Sequence, residues 1–187
     1  MAINQKKSIY LSFLLRHQPE SIGLEMDRHG WVIVKDLLKC INERGKYKLT
    51  FEELEELVAN DSKGRYRFNE NRTCIKACQG HSISWVEPEL EYRDPPVFLY
   101  HGTTTENLKL IKKSGAILKM KRHAVHMQED IQMAWKSAVR WKQNPVVLKI
   151  AAEELCKSGT SFGVSDNGVW CAETIPVEYI SECIYEM

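Results

Sequence analysis

Arg16 and His17 stand side by side in Leu15-Arg16-His17-Gln18-Pro19, where a helix must stop before the proline. A guanidinium there can grip an anion while the adjacent imidazole gives or takes a proton. The same pair also suits the negative end of a helix without any function. Tyr100-His101-Gly102-Thr103 follows an apolar run and sets an imidazole and bare backbone amides at the carboxyl end of a strand, a common ligand position, or else a surface turn. Arg122-His123-Ala124-Val125-His126 alternates, so in a strand His123 and His126 face opposite sides and form no metal pair. Two further segments carry less: Cys78-Gln79-Gly80-His81-Ser82, a glycine turn after a strand, and Asn167-Gly168-Val169-Trp170, a turn entering a strand.

Other chemistries lack their residues. There is no Gly-x-Gly-x-x-Gly, no Walker loop, no Gly-x-Ser-x-Gly and no Cys-x-x-Cys. The 6 cysteines have no zinc-finger spacing, and the stretch Met1 to Lys7 lacks the charged-then-apolar layout of a secretory signal. They are expected to be reduced, mostly buried thiols of a cytoplasmic protein, and no metal is assigned.

The chain that positions these residues has 187 of them, with 26 basic against 25 acidic side chains. It is long enough for one large or two small domains, and it has no apolar run of membrane-spanning length. A chain so nearly neutral is no general polyanion binder, so a phosphate-bearing ligand must be met by local charge. Lys63, Arg65, Arg67, Arg72 and Lys76 share their stretch only with Glu70, and Lys109, Lys112, Lys113, Lys119, Lys121 and Arg122 share theirs with no acid.

Apolar spacing predicts a helix over Lys7–Arg16 with Ile9, Tyr10, Phe13 and Leu14 on one stripe, then a short strand in Gly30–Val34 and a helix over Asp36–Asn42. Thr50 and Glu53 form a capping box for a third helix that turns Phe51, Leu54, Leu57 and Val58 inward. Tyr66–Phe68 and Thr73–Ala77 form a hairpin. Three helices, a strand and a terminal hairpin make a winged-helix list, most often a nucleic-acid reader. Acidic, proline-bearing 87–96 divides the chain into lobes 1–90 and 91–187. In the second lobe Val97–Tyr100, Ala124–His126, Val146–Ile150, Gly168–Cys171 and Tyr179–Tyr185 suit strands, Glu106–Lys113 a helix capped by Gly115, and Asp130–Trp141 another helix. The class is α+β in two lobes.

Together these segments resemble the RNA 2′-phosphotransferase (KptA) family. The matching text is Leu11-Ser12-Phe13-Leu14-Leu15-Arg16-His17-Gln18-Pro19, Gly23-Leu24, Asp27-Arg28-His29-Gly30-Trp31-Val32, Arg67-Phe68, Ile75-Lys76-Ala77-Cys78-Gln79-Gly80-His81-Ser82, Leu99-Tyr100-His101-Gly102-Thr103, Arg122 to His126 and Asn167 to Trp170, all in the family's order. The resemblance implies an RNA-binding winged-helix lobe followed by an ADP-ribosyltransferase-like lobe that binds NAD as co-substrate. It implies two steps. The RNA 2′-phosphate displaces nicotinamide from NAD to give a 2′-phospho-ADP-ribosylated RNA. The neighbouring 2″-hydroxyl then attacks that phosphate, leaving 2′-OH RNA and ADP-ribose 1″,2″-cyclic phosphate.

By motif the family's catalytic tetrad falls on Arg16, His17, Arg67 and Arg122, expected to converge from the two lobes. The NAD-binding markers fall on His101, Gly102 and Thr103, on His126, and on Gly168 and Val169. Lys76, Gln79 and His81 are candidates for contact with RNA or its phosphate. Guanidiniums can clamp a dianionic phosphate without a metal, and the absence of a carboxylate at Gly168-Val169-Trp170 avoids repelling it. Lys76 departs from the family's usual arginine and gives up the bidentate fork, and Met127 replaces a common leucine. The substrate implied is a tRNA-like RNA carrying a splicing-derived 2′-phosphate, and the protein is expected to be a monomer. Two other readings remain: an ADP-ribosyltransferase acting on nucleic-acid end phosphates, and a non-catalytic RNA-binding module.

Overall fold

A computed structural model describes residues 3–141 and 143–186 of the chain. It divides into two compact units, Met1–Glu89 and Leu90–Met187, each mixing helix and sheet around its own core. The α+β class read from the sequence is the class observed.

The first unit opens with α1 (Ile3–Arg16), followed by a 3-10 turn at Pro19–Ile22, β1 (Val32–Ile33), α2 (Val34–Arg44), α3 (Phe51–Ala59), β2 (Tyr66–Phe68) and β3 (Cys74–Ala77). The strands pair antiparallel in the order β1-β3-β2. The capping box forms as expected: Thr50 Oγ1 accepts from the Glu53 amide while Glu53 accepts from the Thr50 amide. The stripe expected on α1 needs correction. Leu14 is buried and Tyr10 packs against the core as expected, but Ile9 and Phe13 are exposed, and Leu11 and Leu15 enter the core in their place. Ser8 and Ser12 lie on the inward side because Tyr66, buried in β2, bonds both hydroxyls with its own. A polar trio, invisible to apolar spacing, thus sets the rotation of the helix. Strand β1 is also shorter than read from Gly30–Val34, since Val34 already starts α2.

The second unit comprises β4 (Glu91–Tyr92), β5 (Phe98–Thr104), α4 (Thr105–Ser114), β6 (Ala116–Leu118), β7 (Val125–Met127), α5 (Ile131–Ala138), β8 (Pro145–Ala151), α6 (Ala152–Lys157), β9 (Gly163–Val164), β10 (Trp170–Ala172), β11 (Thr174–Pro176) and β12 (Ile180–Ile184). Its sheets run β12-β8-β5, β4-β9-β10-β7 and β11-β6. A reciprocal backbone pair between Tyr100 and Gln128, 2.8 Å each way, links β5 to the segment just after β7. Gly115 caps α4 with φ +79°, as its position suggested. The helix read over Asp130–Trp141 ends at Ala138 and tightens into a 3-10 turn, with Asp130 outside it as its cap.

The thiols differ from expectation. None is in a disulfide, but only Cys78 and Cys171 of the 6 are buried. Among the described residues no helix is long and apolar enough to cross a membrane.

Candidate functional site

In the first unit, α1 delivers Arg16 at its last residue and His17 just beyond it. Both are held by one residue of the segment after β3. The Ser82 amide donates to the Arg16 carbonyl at 2.9 Å, and Ser82 Oγ hydrogen-bonds His17 Nδ1 at 2.8 Å. Segment 79–89 is tied down a second time on the turn before β1. Glu87 N donates to the Arg28 carbonyl, and His29 Nδ1 bonds the Glu87 carbonyl at 3.0 Å. That turn is built by Asp27, whose Oδ1 accepts from the amides of His29 and Trp31, with Gly30 at φ +84° between them.

Trp31 leaves the turn with its ring near two cations: the Arg67 guanidinium carbon is 5.9 Å from the ring centroid and Lys76 Nζ is 4.8 Å. Arg67 and Lys76 face each other across the β2–β3 ladder. Their surroundings differ. Arg67 is solvent-exposed, whereas the Lys76 side chain is 2% exposed and its ammonium lies 2.5 Å from Glu89 Oε2. Glu89 also accepts from Trp31 Nε1 at 3.1 Å, and its hydrogen bond with Lys76 above all holds its carboxyl below the usual carboxylate range. His81 is likewise buried, packed so close to Gly30 that a Cβ there would stand 2.9 Å from its Nε2. Of the RNA-contact candidates, then, Lys76 and His81 sit in the interior of the unit, and Gln79 is half-buried.

In the second unit, β5 continues through Thr104, so His101, Gly102 and Thr103 lie inside a ladder opposite Leu148, Val147 and Val146. The strand read over Val97–Tyr100 thus runs on through Thr104, and the segment read at its carboxyl end lies within it. Its backbone belongs to the sheet, and Gly102 is bare for another reason: a Cβ there would collide with the Ala134 carbonyl oxygen, because α5 crosses the strand at backbone contact. His101 Nδ1 donates to the His126 carbonyl at 2.9 Å. A carbonyl only accepts, so the neutral ring carries its proton on Nδ1 and presents Nε2 as an acceptor. Burial pushes the His101 pKa down, with the carbonyl bond opposing more weakly, and the ring stays neutral near pH 7.

His126 pairs with Cys171 across β7–β10. Just before β10, Ser165 N donates to the Val169 carbonyl, Gly168 N to the Ser165 carbonyl at φ +75°, and the Ser165 hydroxyl bonds Asn167 and Val169. This tight loop exposes Gly168 and buries Val169. The histidine markers His101 and His126 are therefore joined directly, and Gly168-Val169 opens the strand that pairs with the one bearing His126.

Arg122 lies in the exposed turn between β6 and β7. Partial enclosure first, and then the charge of Arg140, pull its pKa below the usual arginine range, which marks two guanidiniums near each other. Such a pair is eased by an anion. Among the described residues no group of three or more His, Cys, Asp or Glu side chains assembles for a metal.

Sequence reasoning left Trp31, Ser82, Glu89 and Arg140 out of the site. Trp31 and Ser82 stood in readable segments, Asp27 to Trp31 and Cys78 to Ser82, without a role of their own; Glu89 and Arg140 act through contacts distant in sequence.

Comparison with known proteins adds the following. A family model described as RNA 2′-phosphotransferase, Tpt1/KptA family, matches residues 3–174. The RNA 2′-phosphotransferase of Escherichia coli strain K12 is 42% identical over 173 residues, 92% of this chain and 92% of that protein. A probable RNA 2′-phosphotransferase of E. coli O6:K15:H31 (strain 536) matches with the same identity and coverage, and one of E. coli O45:K1 (strain S88) at 42% with 92% of this chain and 88% of that protein.

Proposed function

This chain belongs to the RNA 2′-phosphotransferase, Tpt1/KptA family, and on that premise we propose that it removes a 2′-phosphate from RNA with NAD as a consumed co-substrate. The observation that carries this reading is the family match over residues 3–174, which runs through both units. We assign RNA to the first unit as a winged-helix-type lobe, and NAD to the second as an ADP-ribosyltransferase-type lobe. A tRNA-like RNA in the cytoplasm is the substrate setting that fits.

Arg16, Arg67 and Arg122 are the proposed phosphate clamp. A 2′-phosphate carries close to two negative charges, and fixed guanidiniums stabilise charge growing on its oxygens without reorganising at the moment of reaction. Arg67 suits this role through its exposure on β2, and Arg122 through the neighbouring Arg140 charge that an anion relieves. His17, held through Nδ1, is the proton-handling group beside them.

NAD, when bound, supplies the ribosyl carbon that the phosphate attacks and the vicinal hydroxyl of the second step. The residues of the second unit fit a dinucleotide. Nε2 of the neutral His101 can accept from a ribose hydroxyl, while Gly168 beside the buried Val169 offers a close approach. Gly102, Thr103 and His126 frame the imidazole, His126 through its carbonyl.

The test is to incubate the protein with NAD and an oligoribonucleotide bearing one internal 2′-phosphate, with EDTA present, and to resolve the products. The expected outcome is 2′-OH RNA, nicotinamide and ADP-ribose 1″,2″-cyclic phosphate, formed only with NAD. RNA that retains ADP-ribose, or modification only of end phosphates, would favour the transferase alternative. RNA binding without NAD consumption would leave only a binding module.

A further inference from the structure

Ser82 is the residue through which segment 79–89 reaches the Arg16-His17 pair, and we propose that it is the positioning residue that fixes the ring orientation of His17. The inference rests on the proposed phosphotransferase reading for its kinetic consequence, but on geometry alone for its structural one.

His17 lies one residue past the end of α1, outside the regular helix. Of its ring nitrogens, Nδ1 is engaged by Ser82 Oγ at 2.8 Å. Ser82 is well placed to orient the ring, since its amide is anchored 2.9 Å from the Arg16 carbonyl. The segment is anchored on both sides of the site. Buried His81 wedges against the bare face of Gly30 on one side, and Glu87 is stitched to Arg28 and His29 on the other. Gly30 has φ +84° and no room for a Cβ, so the turn and His81 form one rigid seat.

This assigns the Gln79-Gly80-His81-Ser82 stretch a job other than touching RNA: His81 is the buried foot and Ser82 the exposed finger of a brace on the catalytic pair. A brace of this kind works through another residue, so its loss should lower turnover without weakening ground-state binding.

The experiment compares wild-type protein with Ser82→Ala and Ser82→Thr. Nuclear Overhauser contacts of the His17 ring protons, with His17→Gln used to assign the His17 signals, read the ring orientation against Phe13, whose ring centroid lies 6.4 Å away. Wild type and Ser82→Thr should show one well-defined set of contacts from the His17 ring, and Ser82→Ala a weaker, averaged set. In steady-state assays Ser82→Ala should lower kcat on the order of 10- to 100-fold, since small misplacements of a reacting group cost that much. KM for RNA and NAD should stay within roughly threefold, because binding is not what the brace improves, and Ser82→Thr should restore turnover. Unchanged His17 ring contacts in Ser82→Ala, or a loss expressed wholly in KM, would overturn the proposal. If wild-type protein consumed no NAD, the functional reading would fail while the NMR comparison still decided the role of Ser82.

Discussion

The two units hold their candidate residues in opposite ways. In the first, Arg16, His17 and Arg67 stand at the end of a helix and on the open face of a hairpin, and one serine hydroxyl orients the imidazole. In the second, His101 lies within a seven-residue strand, its ring bound to a carbonyl and the next residue pressed against a crossing helix. One site is attached to its fold and the other is made from it. Substitutions at the first unit's candidate residues should therefore change catalysis and leave stability alone, and those within β5 of the second should lower stability as well.

The sharpest test is Arg67→Ala. Loss of a group that stabilises transition-state charge costs on the order of 10²–10³ in rate. Charge on the phosphate grows most when the hydroxyl attacks it, so the second step should slow more than the first. ADP-ribosylated RNA would then accumulate as a transient, retarded band on a denaturing gel. Arg67 is exposed on β2, so the unfolding free energy measured in urea should hold within about 0.5 kcal/mol. A large fall in stability would break the contrast.

Gly102→Val probes the other side. The new side chain meets backbone of α5, at the Ala134 carbonyl and the Ala138 nitrogen, and backbone cannot swing away as a side chain would. Overpacking of this kind costs about 3 kcal/mol, measurable by urea unfolding. A folded variant of normal stability would mean that α5 is loosely seated.

Stability against pH should report on the interior of the second unit. Burial pushes the Cys171 thiol from 9.0 up to about 12. A raised folded-state value means the contribution is complete below pH 9 and is lost as pH climbs towards 12, on the order of 1 kcal/mol by pH 10. Cys171→Ala should abolish that alkaline loss. On the acid side the depressed His101 pKa acts oppositely: its contribution is present above the ordinary value of 6.5 and fades as pH falls below it.

The smallest effect is expected at Lys76. A lysine that touches RNA phosphate should reduce the salt dependence of binding by about one unit of slope when removed. Lys76 faces Glu89 and Trp31 instead, so Lys76→Met should leave that slope unchanged. The freed Glu89 carboxylate is half-exposed and can be rehydrated, which keeps the stability cost small.

What could be read in advance follows the same divide. The capping box at Thr50 and Glu53, the glycine cap at Gly115 and the Arg16-His17 pair were legible because each is settled within a few residues. The facing of α1 was not, since it depends on Tyr66 bonding Ser8 and Ser12 from 54 or more residues away. Nor was the extension of β5 through Thr104, which β8 imposes by pairing along its whole length. Short β4, β6, β9 and β11 exist only as partners of other strands and carry no pattern of their own. Glycine at 102 was conspicuous, but its reason was not: local sequence cannot tell a ligand's approach from a helix's.

The loop before β10 has a consequence for the ageing of the protein. Asn167-Gly168 is the dipeptide most prone to spontaneous deamidation, in which the glycine nitrogen attacks the asparagine carboxamide, ammonia leaves, and water opens the resulting succinimide to aspartate or isoaspartate. Here the Gly168 amide is committed to the Ser165 carbonyl at 2.8 Å, and the Asn167 carboxamide oxygen accepts from the Ser165 hydroxyl at 2.8 Å. Ser165 ties up nucleophile and electrophile at once, so the folded loop should keep its amide on storage, while the unfolded chain, stripped of both bonds, should convert.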